Sequence, residues 1–232
     1  MSEEGEFVLS QTAIDLETAN NIDLTFRKTQ GDVGFVFNAF YNQVDNYYFQ
    51  EETGLFAESG HDHAHDEEGH GEKEHSEDEH SDELPVYLFG SADAILHGFE
   101  LQVAWQTTEN LKLDFFADYV KARLKDGGAL PRTSPMRVGS HVAYTLDNIR
   151  ADLDITYFAK QDDISTFETE TDGYTLVDAS ITYDIPLGDI DLSVYLSGEN
   201  LTDEEARVHT SFLKDIAPRP GRNFAFGVSG YF

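Results

Sequence analysis

Apolar and polar residues alternate along most of the chain. Ile22, Leu24 and Phe26 alternate with polar partners between Asn20 and Thr29, and Val33, Phe35, Phe37, Ala39 and Tyr41 do so after the turn at 30–32. The same period runs through Phe99, Leu101, Val103 and Trp105, then through Leu111, Leu113, Phe115, Ala117 and Tyr119. It continues in Val138, Val142, Tyr144 and Leu146, and after Asp147-Asn148 in Ala151, Leu153, Ile155, Tyr157 and Ala159. Val177, Ala179, Ile181, Tyr183 and Ile185 are followed by Leu192, Val194 and Leu196, and Phe224, Phe226, Val228 and Phe232 complete the series. Period two puts each apolar set on one face of a strand, so the pattern predicts an all-β fold of nine strands.

The links are as regular as the strands. Those at 30–32, 107–110, 147–148 and 186–189 are short, while those at 50–94, 124–134, 161–173 and 201–221 are long and polar. Strict alternation of short and long links is what an antiparallel up-and-down sheet gives when one rim needs only tight hairpins. A soluble sandwich also alternates apolar with polar, so periodicity by itself leaves both architectures open. Three features favour a transmembrane β-barrel. The segments approach the ten or so residues that a tilted strand needs to cross a bilayer, against about five or six in ordinary sheets. The face opposite the apolar one carries Asn38, Gln102, Asp114, Asp118, His141, Asp152, Asp154, Asp178, Thr182 and Asp184, which suits a wet lumen. Aromatics gather near strand ends as Tyr47, Tyr48, Phe49, Tyr157, Phe158, Tyr231 and Phe232, where interface girdles would lie.

Composition narrows the function classes. The 232 residues carry 15 basic and 45 acidic side chains, a net charge of −30. Such a chain repels phosphate backbones, so nucleic acid is excluded as a partner. The absence of cysteine excludes disulfides, zinc ribbons and thiol chemistry. No apolar run is long enough for a membrane-spanning helix, and the start lacks the cationic and apolar sequence of a secretion signal. Gly227-Val228-Ser229-Gly230 falls short of a nucleophile elbow, and no glycine-rich phosphate loop is present, so the chain does not read as an enzyme.

Five stretches resemble TonB-dependent outer-membrane receptors, in the order in which that family carries them. They are Phe40-Tyr41-Asn42, His97-Gly98-Phe99-Glu100, and the loop-to-strand entry Leu130-Pro131-Arg132-Thr133-Ser134-Pro135-Met136-Arg137-Val138-Gly139, which is similar to the zinc-uptake branch. Glu199-Asn200-Leu201-Thr202-Asp203 resembles the end of the penultimate strand. Pro220-Gly221-Arg222 with Phe224, Phe226, Val228 and Phe232 resembles the closing strand. The resemblance implies a 22-stranded barrel in the outer membrane of a Gram-negative cell, plugged by an N-terminal domain. A segment ahead of that plug would engage the TonB energy-coupling complex. Residues 1–232 are then expected to be the C-terminal portion of the barrel, with the plug and coupling segment missing from the chain. Outer-membrane lipid would be a partner, the long links would face outward from the cell, and Phe232 would present the aromatic end that the barrel assembly machinery reads.

The chemistry concentrates in the link at 50–94. Residues 51–83 hold 14 Asp and Glu against one Lys, and six of the nine histidines: His61, His63, His65, His70, His75 and His80. A tract this polar cannot bury apolar surface and is expected to be a mobile loop. Imidazole suits Zn, Cu and Ni, and neighbouring carboxylates add attraction and oxygen ligands. The string His65-Asp66-Glu67-Glu68-Gly69-His70 misses the spacing of a helical metalloprotease site, so the expectation is several weak, interchangeable metal sites. The resulting functional expectation is import of a metal, zinc foremost, with no prosthetic group and Zn²⁺ as transported ligand. Two alternatives stand beside it: a receptor for a metal chelate or haem, and a soluble acidic metal-binding β-protein of the periplasm. His141 could relay a cation along the polar face or be a wetted lumen position. His97, at a strand start, and His209, in the last long link, read as structural or solvated.

Overall fold

The computed structural model describes residues 15–58, 83–187 and 190–231. Nine strands run in chain order: β1 Thr18–Lys28, β2 Val33–Glu58, β3 Glu83–Gln106, β4 Leu111–Leu124, β5 Arg137–Leu146, β6 Ile149–Phe158, β7 Tyr174–Leu187, β8 Ile190–Glu199 and β9 Asn223–Tyr231. Each strand pairs antiparallel with the next, giving one nine-stranded sheet in the order β1 to β9. The expected all-β, up-and-down architecture is what forms, and the sheet is a single layer.

The two faces follow the alternation. On one face the apolar side chains stay open: Phe26 is 54% exposed, Tyr157 49%, Ile181 47% and Phe226 71%. A sandwich would bury such a face against a second layer, and among the described residues there is none. From Ile149 to Tyr157 this apolar face covers about 27 Å along the strand, or about 21 Å once a tilt of about 40° is allowed for, close to the lipid-facing band of a barrel. Trp105, Tyr144 and Tyr183 edge the band on the short-link side. Tyr41, Tyr119, Tyr157 and Phe224 edge it on the other. Between them Phe26, Phe37, Phe99 and Tyr119 form a chain of rings 6.1–6.5 Å apart.

Three of the aromatics expected in the girdle turn inward instead. Tyr47 and Phe49 pack with Leu96 and Leu124 against buried Ala94, Ala122 and Leu130, on the polar side of the sheet. Phe158 stacks on Tyr174 at 4.6 Å beside Leu176 and Ala206. Both clusters sit under long links that fold over the inner face, which is why these rings are drawn there. Phe232 lies outside the described residues.

The widest departure from the sequence pattern is the length of β2 and β3. The expected loop at 50–94 is shorter, because strand pairing persists from Tyr47↔Ala92 up to Glu58↔Glu83. Neighbouring β1 reaches only Asp45 of β2, and β4 only Ala94 of β3, so the hairpin stands about 40 Å clear of them. Register shifts between Val44 and Tyr47, and between Glu52 and Phe56, broke the alternation in the sequence. Asn46 (φ 56°) marks the first shift and Gly54 (φ 70°) the second. On the opposite rim the Pro186 turn tightens, since Pro186↔Asp191 and Leu187↔Ile190 remain paired.

Five glycines in the strands are covered by rings from the strand alongside. Phe40 stands opposite Gly98, Phe116 opposite Gly139, Tyr195 opposite Gly227, Phe224 opposite Gly198 and Phe49 opposite Gly90. A Cβ at Gly139 would collide with the Phe116 ring, and one at Gly227 with Tyr195. The ring fills the space a side chain would occupy and shields the backbone bonds beneath it. Gly139→Val should therefore lower the stability of the assembled barrel by about 2 kcal/mol through overpacking. Urea unfolding in micelles would measure it, and Phe116→Ala in the same background should recover part of the loss.

Candidate functional site

The polar face presents a staggered row of ionisable groups. Asp114 on β4, His141 on β5, Asp154 on β6 and Asp178 on β7 are direct cross-strand neighbours. Asp114 lies near the short-link end of its strand and Asp178 near the long-link end of its own, so the row climbs the wall. His141 Nδ1 is 2.8 Å from Asp154 Oδ1, and its Nε2 is 3.5 Å from Asp152 Oδ1. Both ring nitrogens thus face carboxylates, Nδ1 within hydrogen-bond distance and Nε2 within ion-pairing range. Asp178 Oδ1 accepts the Asn200 N–H at 2.7 Å. Lys112–Asp114, Arg137–Asp118 and Arg150–Asp184 pair along the same face at 2.7–3.1 Å. All ten polar residues expected on this face lie on it. Among the described residues no group of three or more His, Asp or Glu is arranged to hold a metal ion.

The long links converge on one buried carboxylate. Glu168, between β6 and β7, meets His209 and Lys214 from the link between β8 and β9, and all three side chains are at most 4% exposed. His209 Nε2 lies 3.2 Å and Lys214 Nζ 3.6 Å from Glu168 Oε1. The backbone N–H of Arg132 donates to Oε1 at 2.7 Å and that of Ser165 to Oε2 at 3.1 Å. Thr171 Oγ1 faces His209 Nδ1 at 3.0 Å, and Lys214 Nζ donates to the Thr169 carbonyl at 2.6 Å. Arg132 then ties the assembly to the tall hairpin. Its guanidinium donates to the Gln50 carbonyl at 2.7 Å and lies over the rings of Phe212 and Tyr87, 4.1 and 5.7 Å from their centroids.

Nothing in the spacing of 132, 168, 209 and 214 announces this cluster, because each residue comes from a different part of an irregular link. His209, expected to be structural or solvated, is a buried member of the network. His97 lies well inside β3 and faces outward, with its ring against Tyr41 at 6.4 Å. His61, His63, His65, His70, His75 and His80 lie outside the described residues. The two positions that flank their tract, Glu58 and Glu83, are register partners at the top of the hairpin.

Burial pushes the Glu168 pKa up, but the contact with His209, the two backbone donors and the Lys214 charge outweigh it and bring it to about 2. Its folded pKa thus lies below the ordinary 4.5, so the stabilisation, about 3 kcal/mol, is complete above about pH 4.5 and drains away as pH falls toward 2. Glu168→Gln should remove a similar amount at pH 7 by leaving Lys214 buried without its counter-ion and His209 Nε2 without its carboxylate partner. Hydrogen exchange across 159–173 and 200–222 should then accelerate at neutral pH, matching the unmutated protein in acid.

Comparison with known proteins fits this architecture. Residues 5–201 match the model of the family described as TonB dependent receptor-like, beta-barrel. Among solved structures, the copper transporter OprC aligns with a TM-score of 0.72 at 17% identity, over 94% of this chain and 31% of that one. The FrpB iron transporter from Neisseria meningitidis aligns at 0.64 and 17% identity, over 94% of this chain and 32% of that one. The pyoverdine outer membrane receptor FpvA from Pseudomonas aeruginosa PAO1 aligns at 0.66 and 13% identity, over 96% of this chain and 31% of that one. The chain spans about a third of the length of these structures, which share its fold. Members of the family are outer-membrane barrels and transporters rather than enzymes, which removes the soluble periplasmic alternative. A single-layer sheet with a lipid-facing band, a polar inner wall, tight turns on one rim and interlocked links on the other belongs to the TonB-dependent receptor β-barrel family.

Proposed function

We propose that this chain forms part of the wall of an outer-membrane receptor that imports a metal ion, with zinc the preferred cargo. His61, His63, His65, His70, His75 and His80 would capture the ion together with the carboxylates among them. The observation that carries the reading is the pairing of Glu58 with Glu83, which roots both ends of the histidine tract at the top of a hairpin that runs about 40 Å along the strand beyond the pairing of its neighbours. A set of weak sites at that height raises the local metal concentration over the mouth and releases the ion easily, because wrapping an ion costs the tract conformational entropy. The polar wall, with Asp114, His141, Asp154 and Asp178, offers the ion a descending path. Similar structures that carry the names of a copper and an iron transporter support a metal as the transported substrate. Energy for release would come from the TonB complex acting on a plug domain, and Phe232 would serve the barrel assembly machinery.

A specific observation favours the chelate alternative as the second reading. A cavity of about 300 Å³ beside the hairpin is lined by Tyr47, Tyr48, Phe49, Phe89 and Arg132, a set that suits a planar anionic ligand better than a bare ion.

Calorimetry of the full-length receptor in detergent with Zn²⁺, Ni²⁺ and Cu²⁺ tests the capture. Several weak sites are expected, lost when all six histidines become Ala, and fading below about pH 6 as imidazole protonates. Binding that survives the sixfold substitution would end the idea. Deleting Phe232 should reduce the amount of receptor assembled in the outer membrane while leaving metal binding per assembled molecule intact.

A further inference from the structure

We propose that the open edge of β3 above Ala94 takes up an extended, basic segment of another protein as an added strand. The inference rests on where strand pairing stops and is independent of the cargo. β4 pairs with β3 only as far as Ala94↔Leu124, and one further bond, from the Lys125 N–H to the Asp93 carbonyl at 2.8 Å, ends the ladder. Beyond it, the alternation of the backbone decides where each group aims. Asp93 faces the β4 side, so Ser91, Phe89 and Tyr87 face that side too. Val86 has the opposite parity and faces β2, where its carbonyl accepts the Thr53 hydroxyl at 2.8 Å. Among the described residues, the N–H and C=O groups of Tyr87, Phe89 and Ser91 have no backbone partner. They form an edge about 14 Å long, room for a strand of about five residues.

Strand edges left open in water are ordinarily blunted by charge, proline or a covering segment. Here Pro85, the next residue of the same parity, has no N–H to offer and closes only the far end. The remaining edge carries apolar side chains on both faces of the ribbon, since Leu88 and Phe89 point to opposite sides and are 61% and 82% exposed. An added strand would satisfy the backbone groups and lay its alternate side chains beside these two, which is how sheets capture extended peptides. Charge selects the occupant. Glu51 and Glu52 stand opposite Leu88 and Tyr87 in register, and residues 51–83 hold 14 Asp and Glu against one Lys. A second copy of this chain would bring the same negative charge to the edge, whereas a segment rich in lysine or arginine complements it.

The experiment uses the full-length receptor in mild detergent at physiological salt, with a short end-blocked peptide of alternating lysine and valine as the probe. Fluorescence anisotropy gives the affinity, and amide-resolved hydrogen exchange gives the place. Binding should slow exchange at Tyr87, Phe89 and Ser91, while Leu88 and Gly90, which already face β2, stay as they are. The same peptide methylated at every backbone nitrogen keeps its charge but cannot pair, so it should not bind. A glutamate–valine peptide should bind at least tenfold more weakly than the lysine one. Phe89→Pro/Ser91→Pro removes two edge donors without touching the bonds to β2, and two lost backbone hydrogen bonds should weaken binding roughly thirtyfold. The methylated peptide supplies the same test on the unmutated receptor if that variant assembles poorly. No binding of the lysine peptide, equal binding of the methylated or the glutamate peptide, or protection that ignores the alternation would each overturn the proposal.

Discussion

Hydrocarbon offers a peptide group no partner, and that constraint organises everything in this molecule. A strand can cross lipid only if both neighbours take its N–H and C=O groups, so each of the nine strands is locked to the next in register. Once the backbone is satisfied sideways, side chains have only two directions left. Leu153 and Ile155 go to lipid while Asp152 and Asp154 go to water, and hydropathy averaged along the strand conceals both. The acidity of the chain is compatible with a membrane location for this reason: among the described residues carboxylates are confined to the wet face, the tall hairpin and the links.

The same geometry separates what the sequence discloses from what it hides. Within the strands between Asn20 and Tyr41, and within those between Phe99 and Leu196, period two holds, and there the strands and the polar face are legible residue by residue. Above Val44 the legibility fails for an identifiable reason. The register shift between Val44 and Tyr47 inserts one extra residue into β2, so Tyr47, Phe49 and Glu51 no longer continue the parity of Tyr41; a second shift follows between Glu52 and Phe56, and a paired strand reads as irregular chain. Girdle aromatics were misplaced by a related effect. Phe158 occupies a strand end and Tyr47 lies just past the last residue of β2 that β1 pairs, but inward-folding links offer them apolar neighbours that compete with the interface. Side chains drawn together by those links leave no periodic trace at all, which is why Glu168, His209 and Lys214 emerge only in three dimensions.

The interlocked links also bear on how a rim of long links can be ordered. A loop buries little apolar surface, so ordering it needs a concentrated interaction. Here one carboxylate receives two backbone donors and two basic side chains, while Arg132 carries the tie across to Gln50 on the hairpin. Links that belong to separate hairpins thereby hold one another, and the tall hairpin is propped through its own Gln50 and Tyr87 against Arg132 and Phe212 of the links rather than by neighbouring strands.

The two-residue turn at Asp147-Asn148, closed by Leu146 facing Ile149, has an evolutionary corollary. One residue gained or lost there, without a compensating bulge, would rotate all of β6 by half a period, turning Asp152 and Asp154 into oil and Leu153 into water. The register shifts that this chain does carry both fall in β2 above the lipid zone, where neither side of the ribbon is committed to a solvent. Insertions and deletions can thus accumulate on only one side of the membrane, and diversification of such a surface is directed outward by the pleat itself.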